Sequence, residues 1–554
     1  MFIRTKKTPN TVKIAVQLVE NVRTGTKVQQ KIIRHFGNAL NEHEVEMLKQ
    51  LALHYKAELE NGSSEPTLFD TNTLAELTQA HRPIDEDDKP LNVNLKSLKE
   101  EKRMTVGIHE FYGELFNEIG FHRVVENPAR KKASVRLLKE MVMARIALPG
   151  SKRQSVAMLE REYGIQIDVN AVYRAMDYLD EKAIKRIGVL AYEHTTGLLG
   201  TPVNVVFYDC TTLYFESFQE DDLKKNGYSK DGKFNQVQVL LSVMVTTSGL
   251  PVGYELFEGN TFEGNTLDNA LTTLKQTYKV EKVIFVADAA LLNKNNMALL
   301  EQQEQKFILG ARIKNMSAEV TKQILDKEAY TVLDQDESTC RDIMLEDGKH
   351  RLIVTYSPTR AAKDRHDREK AIEQLSKRIG RSKNPKSLLS SYGYKKFVKL
   401  EGEAKLVRDD EKIQEAAQWD GLHGICTNIK DATPAELLVQ YRGLWQVEET
   451  FRLSKHDLSM RPIFHWTVPR IKAHIAICFM ALVCVRSAEY RIALQYKKLS
   501  PQVIKTALLG LQISILKDQK TNKLYALPSK ATQDAKKMYQ VWGLRWTDVP
   551  YLVK

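Results

Sequence analysis

Apolar and polar residues alternate through VKIAVQLVENV and again through VQQKIIRHFG, with RTGTK between them, which predicts a β-hairpin near the N-terminus. The segment NEHEVEMLKQLALHYKAELE then has helical spacing, and NGSSEP and RPIDEDDKP read as linker. From Ser97 to about Gly200 the pattern is helical throughout, with basic points at Arg130-Lys131-Lys132 and Lys152-Arg153. Within it, SKRQSVAMLEREYGIQIDVNAVYRAMDYL predicts two short helices around a turn at Gly164. That is the layout of a helix-turn-helix and equally of an ordinary helix pair.

After Pro202 the period changes. VNVVFYDCTTLYFE predicts a strand with an acid near its end, and QVQVLLSVMV, TTSG and LPVGYELFEGN predict a hairpin. A helix near Thr266 to Tyr278 precedes a second buried strand ending in an acid, KVIFVADAALL, and a further strand, KFILGARI. Short strands and polar helices fill the region from Lys314 to Trp419. There RAAKDRHDREKAIEQLSKRIGRSKNPKS alternates charge at i, i+4, as a solvated helix does, and the basic cluster from Lys377 to Lys386 suits either a phosphate backbone or solvent.

The strand GLHGICTN leads to one helix whose start is marked by Thr433, Pro434 and Glu436, a capping box with proline at the first position. Leu437, Leu438, Tyr441, Leu444, Trp445 and Phe451 outline its apolar face, and Glu448 falls inside that face. Seven residues are about 20° short of two turns, so Tyr441, Glu448 and Lys455 share a stripe on a continuous helix. A surface stripe in which Glu448 pairs with Arg452 at i+4 is the plainer reading. A partly buried carboxylate without a partner is costly, and a cation in front of it removes the cost.

Composition narrows the partners. The chain has 554 residues, 43% hydrophobic and 27% charged, with a net charge of +12 and a pI near 9.1, as expected of a soluble protein with an anionic partner, nucleic acid first. Five cysteines without a CxxC pair argue against a zinc site or a disulfide framework and for a reducing compartment. MFIRTKKTPN has no signal-peptide core, and the apolar run from Ile475 to Val485 is too short to span a bilayer and predicts a buried helix. The expected location is the cytoplasm. His456, His465 and His474 recur every nine residues, not a metal-ligand spacing on a helix, and read as core or surface residues.

Asp209 and Asp288 end strands apolar on both faces, the place where ligands bind in a helix-covered sheet, although an Asp there also serves as a turn or cap residue. With Glu448 they make three carboxylates from two strands and a helix. Such a set suits two divalent cations about 3.5–4 Å apart, and oxygen-only ligands favour Mg²⁺ or Mn²⁺ over zinc. Phosphodiester chemistry on nucleic acid follows, with Tyr441 and Lys455 placed to hold a phosphate.

The order strand-Asp, strand-Asp, helix-Glu resembles the DDE transposases of bacterial insertion sequences. The helix is similar to the group-four signature YxxRxxxExxxxxxK, with Tyr441, Glu448 and Lys455 on its Tyr, Glu and Lys and Leu444 where the signature has Arg. Arg442 lies close by but about 160° away on an ideal helix. GYSKDGKFNQVQVLLSV and ELFEGNTFEGNTL look like the branch with an elongated N-terminal region.

The resemblance implies an α/β fold with a ribonuclease-H-like core over 201–313 and 420–490 and a mostly β insertion domain over 314–419. Before the core it implies a β-rich region over 1–90 and a helical DNA-binding domain over 91–200, and after it a helical C-terminal region over 491–554. It implies catalysis and metal binding by Asp209, Asp288 and Glu448 with two Mg²⁺ or Mn²⁺ ions. Tyr441, Lys455 and Arg452 would bind phosphate. Trp419, unless it is a core residue, would stack a flipped base. The partners would be double-stranded element ends and target DNA, gripped by a homodimer on paired ends. No membrane and no small-molecule cofactor would be involved, and the protein would be nucleoid-associated in a bacterial cytoplasm. A ribonuclease-H-type nuclease that never joins ends, or a catalytically silent DNA-binding derivative, are the alternatives.

Overall fold

Apolar runs too short for helices become the strands of one large sheet, labelled here in chain order. They are β1 Val205–Tyr214, β2 Gln238–Val245, β3 Pro251–Glu258, β4 Ile284–Ala287, β5 Lys306–Ala311, β6 Thr331–Val332, β7 Thr339–Met344, β8 Arg351–Tyr356 and β9 Leu422–Thr427. The computed structural model describes residues 2–7, 14–24, 27–39, 45, 48–49, 52, 56, 91, 93–126, 128–216, 218–228, 235–333, 338–381, 397–401 and 405–553. The chain divides into two units, and the boundary falls inside β1.

The first unit comprises 1–203, 210–261 and 446–554. At its N-terminus the anticipated hairpin is present, Ile14–Thr24 pairing antiparallel with Lys27–Ala39, and Phe2–Lys7 adds a third strand. Val45, Leu48 and Ala52 are helical and pack with Val16, Leu18 and Phe36. Most of the segment read as a helix there, and both linkers, lie outside the described residues.

The unit's main core is built around the 28-residue helix Val468–Gln495, against which Ile108, Phe111, Val142, Ile187 and Ile504 from other helices pack. By length and composition this helix could cross a membrane, but 78% of its most apolar window is buried inside the unit, as a core helix is. The β2–β3 hairpin turns at Thr246–Gly249, where Gly249 takes φ +76°. Around Gly164, φ +69°, the two short helices Lys152–Met158 and Val169–Asp177 form as the spacing predicts.

Two expectations for this unit need correction. Residues 97–200 are not helical throughout, because Leu98–Thr105 is a strand pairing with Gln512–Asp518. For the same reason the C-terminal region is not simply helical: Gln512–Asp518, Leu524–Pro528 and Tyr551–Val553 complete a four-stranded sheet with Leu98–Thr105. The strand LKEEKRMT is exposed along most of its length, so it has no apolar alternation to reveal it. Of the basic points, Arg153 and Lys132 are exposed, but Lys152 is buried, only 3% exposed. The side chains of Arg130 and Lys131 lie outside the described residues.

The second unit comprises 204–209 and 262–445. Its strands run in the order β6-β7-β8-β9-β5-β4-β1, with β1, β4 and β5 parallel and the others antiparallel. The region read as a separate, mostly β insertion instead extends this sheet: β8 pairs with β9, and β9 pairs with β5. An edge of unpaired backbone groups on β5 is thereby satisfied by antiparallel neighbours. The insertion also carries the 24-residue helix Pro358–Arg381. Its alternating charges pair locally, Lys377 with Glu373 at 2.6 Å, and Arg368 ties it to Asp420. Residues 382–386 of the basic cluster lie outside the described residues.

The helix Pro434–Arg442 begins as its sequence dictates. Glu436 N–H donates to Thr433 Oγ1 at 3.3 Å and Thr433 N–H donates to Glu436 Oε2 at 2.8 Å. Replacing Thr433 with alanine removes this cap and is expected to cost about 1 kcal/mol. Faster amide exchange in Pro434–Arg442, with the rest of the chain unchanged, would register it.

Candidate active site

Parallel pairing brings two of the acids side by side. Val205 to Tyr208 of β1 register with Ile284 to Ala287 of β4, so Asp209 and Asp288 are each the next residue at the carboxyl end of the pair. Strands of a sheet lie about 4.8 Å apart. Both acids are half-buried, whereas the residues immediately before them are fully buried. Beneath them, the Tyr208 hydroxyl donates to Thr266 Oγ1 at 2.7 Å, which ties β1 to the following helix.

Asp288 also does local work. Its Oδ1 accepts the Ala290 N–H at 2.8 Å, closing a turn, while the next helix, Lys294–Gln302, is capped by Asn293 and not by Asp288. One carboxylate oxygen is thus spent on the turn and Oδ2 is not. The aspartate is a turn residue and still has an oxygen to offer a ligand.

Tyr441 belongs to the same unit and is brought to the same end of the sheet. A Cβ on Gly310 of β5 would lie 2.6 Å from Tyr441 Oη, 2.8 Å from Ala289 N and 3.3 Å from the Asp288 carbonyl carbon. The tyrosine hydroxyl and the Asp288 turn therefore close on one backbone position, and only glycine fits there. The His423 ring lies 5.4 Å from the Tyr441 ring, and burial pushes the histidine pKa down. Gly310 was not singled out from the sequence, although a glycine inside KFILGARI is the ordinary mark of close backbone approach. Gly443 is a second such position, since a Cβ there would collide with the Phe207 ring two residues before Asp209.

The single helix expected from Thr433 to Lys455 is three pieces. Pro434–Arg442 ends at Gly443, Trp445–Arg452 follows, and Lys455 sits in the π-turn Leu453–Asp457. Gly443 and Leu444 bond back to Gln440 and Tyr441, three residues earlier, because the glycine must close on Phe207. This break resets the helical phase, so the shared stripe of Tyr441, Glu448 and Lys455 does not follow from their spacing.

Glu448 belongs to the first unit. It does not sit within an apolar face: Val447, Thr450 and Phe451 are buried, while Glu448 is exposed on the same side as Trp445, itself 50% exposed. No desolvation cost attaches to it. Nor does it pair with Arg452, whose guanidinium takes Glu449 in a two-pronged contact, 2.7 Å on each arm, and Asp457 at 3.3 Å. Arg452 is thus charge-matched within the fold rather than offered to a phosphate. Lys455 is half-buried.

Trp419 is half-buried and packs against the cluster that includes Ile313, Val320, Ile324 and Leu352, with Lys314 Nζ 5.8 Å from its ring centroid. Among the described residues no three His, Cys, Asp or Glu side chains are gathered as metal ligands. The second unit by itself offers a pair of oxygen donors, Asp209 and Asp288.

A family model described as "Transposase DDE domain" matches residues 201–484, more than half of the chain. One described as "IS1634 family transposase, N-terminal domain" matches residues 3–66. No curated protein matches the sequence. Among solved structures, the chain is similar at 10% identity to a piggyBac transposase synaptic complex with hairpin DNA, over 73% of this chain and 79% of that one, with a TM-score of 0.36. It is similar at 15% identity to a Mos1 transposase paired-end complex with the left transposon end, over 46% of this chain and 70% of that one, with a TM-score of 0.14. Likeness at these TM-scores carries no weight for the fold.

Gly310→Ala is expected to push Tyr441 or the Asp288 turn aside, costing about 1–3 kcal/mol of stability. Adding Tyr441→Phe, which removes the colliding oxygen, is expected to recover part of that loss in thermal unfolding. Equal stability of Gly310→Ala and the wild type would refute the close approach.

Proposed function

The chain belongs to the DDE transposases of insertion sequences, and on that premise we propose that Asp209, Asp288 and Glu448 are its three catalytic acids, acting on the ends of its element. It is a DNA transposase, a polynucleotidyl transferase by reaction class. The observation that supports the assignment is the pairing of β1 with β4, directly after which Asp209 and Asp288 follow on neighbouring strands, with Tyr441 Oη near the Asp288 turn. The strand arrangement within the second unit supports a ribonuclease-H-like core: β1, β4 and β5 run parallel in the order β5-β4-β1.

Divalent metal dependence is general in the family. The all-oxygen donors of Asp209, Asp288 and Glu448 suit two Mg²⁺ or Mn²⁺ ions, which when bound activate the attacking oxygen and stabilise the leaving one. The protein's own part is positional. The parallel ladder leads directly into both aspartates, and the Ala290 N–H holds Asp288 Oδ1 in the turn. Glu448, exposed and without a partner among the described residues, supplies the third carboxylate.

Tyr441 and Lys455 contact the scissile phosphate and its neighbours, and the net charge of +12 draws DNA to the protein. Hydrolysis at the element's 3′ ends would release hydroxyls that attack target DNA or the opposite strand. A homodimer on paired ends would coordinate the two cuts, in the cytoplasm where the chromosome lies.

Asp209→Asn, Asp288→Asn and Glu448→Gln are each expected to lower metal-dependent cleavage of a fragment carrying the DNA that flanks the gene by at least about 10³-fold, the several kcal/mol a metal site contributes. Binding of the same fragment in a gel shift should stay within a few-fold of wild type. A variant that still cleaves removes its residue from the site. Cleavage by the wild type with no joined product would replace transposition with simple nuclease action.

A further inference from the structure

The catalytic reading leaves unused a cavity of about 270 Å³ within the first unit, walled by Arg145, Lys152, Tyr173, Arg461, His465 and His474 among others. Three of its cationic or titratable side chains are in the interior: Arg145 and Lys152 are each 3% exposed and His474 is 4% exposed. Proteins bury charge with a counter-charge. Here, among the described residues, neither Arg145 nor Lys152 pairs with a carboxylate.

Arg145 spends its two terminal nitrogens on the backbone carbonyls of Leu458, Ser459 and Gly150, and its Nε is buried without a partner. His474 Nε2 lies 3.1 Å from the Met460 carbonyl, so it carries the proton, and Nδ1 is left buried and unpartnered. The charges that face Lys152 are Arg145 from the preceding helix, Arg461 and His465 from the loop, and His474 and Cys478 from the long helix. Burial first, and Arg145 second, push the lysine pKa down to about 7. Burial likewise holds His465 down to about 4, so the imidazoles are neutral at neutral pH.

Two buried cationic side chains, an unpartnered Arg145 Nε–H donor and open volume call for an anion, while the His474 Nδ1 lone pair can only accept from a donor. The mouth indicates which anion. Phe464, 58% exposed, lines the cavity, and Trp466 two residues on is 65% exposed, with Lys224 5.8 Å from its ring centroid. Exposed aromatic rings beside buried cations suit a nucleic-acid strand, whose bases stack while its phosphates are neutralised. We infer that this cavity is a binding site for a DNA backbone phosphate, with Lys152 as its principal cation and Arg145 Nε as a second donor. The DNA identity of the anion rests on the transposase assignment, whereas the anion site itself does not.

The test uses the full chain, wild type and Lys152→Met, which keeps the stem and removes the charge. Inorganic phosphate is titrated against chloride at constant ionic strength while thermal unfolding is followed at pH 7. The wild type should show a saturable rise in Tm at millimolar phosphate, and the variant only the linear rise of a general salt effect.

Without phosphate the variant should be the more stable protein. The penalty of a charged Lys152 is carried in full below about pH 7 and fades as the pH rises toward the ordinary lysine range, so the variant's advantage should fade with it. In metal-free anisotropy with duplex DNA, the variant should bind roughly tenfold more weakly at low salt, with the log–log salt slope reduced by about 1.

A wild-type curve without a saturating component overturns the site by itself, whether or not the variant folds. A variant less stable than the wild type with the same phosphate response does so as well. A lost phosphate response with unchanged DNA binding overturns the DNA assignment and leaves a site for a free phosphate. Failure of the transposase reading would appear instead as absent cleavage with the phosphate response intact.

Discussion

Two acids that follow directly on the parallel pairing of neighbouring strands, Asp209 within β1 and Asp288 just after β4, are the constraint around which the second unit is arranged. Two carboxylates carried on neighbouring strands, which lie about 4.8 Å apart, repel one another. The ladder from Val205 to Tyr208 against Ile284 to Ala287 is apolar and buried, and its backbone bonds hold the acids there regardless. One oxygen of Asp288 accepts a turn N–H, which leaves Oδ2 outside that turn. Gly310 and Gly443 serve the same end of the sheet by letting Tyr441 and the helix turn approach where a side chain would prevent it.

Positive charge is handled in two different ways. Much of the basic surface is matched locally: Arg452 by Glu449 and Asp457, Lys377 by Glu373, Arg470 by Asp177. Such residues add to the long-range field without being offered to a ligand. Arg145 and Lys152 are the contrary case, buried with carbonyls and imidazoles for neighbours and no acid paired to them among the described residues. A net charge read from composition cannot tell these two populations apart, because pairing is a matter of geometry.

Where residues signal through their immediate neighbours, the chain was readable. The N-terminal hairpin, the β2–β3 hairpin with its glycine turn, the helix pair around Gly164 and the Thr433 capping box are all local devices. Each forms where its residues specify. Errors gathered where a distant partner decides. Leu98–Thr105 is a strand because Gln512–Asp518 pairs with it, and the region before Trp419 extends the sheet because β9 follows more than sixty residues later. The continuous helix failed at Gly443, where contact with Phe207 outweighs helical periodicity.

The sequence by itself determined the family, since residue type, order and local period survive without coordinates. It also placed Asp288 directly after a buried strand, whereas Asp209 lies in the middle of β1, which runs on to Tyr214. Tertiary structure alone decided that these strands are parallel neighbours, that Glu448 is an exposed residue and not a buried one, and that Lys152 is interior rather than on the surface. The physical reason is the same in each instance: burial and pairing are properties of groups brought together from far apart in the chain, and spacing along one segment does not contain them.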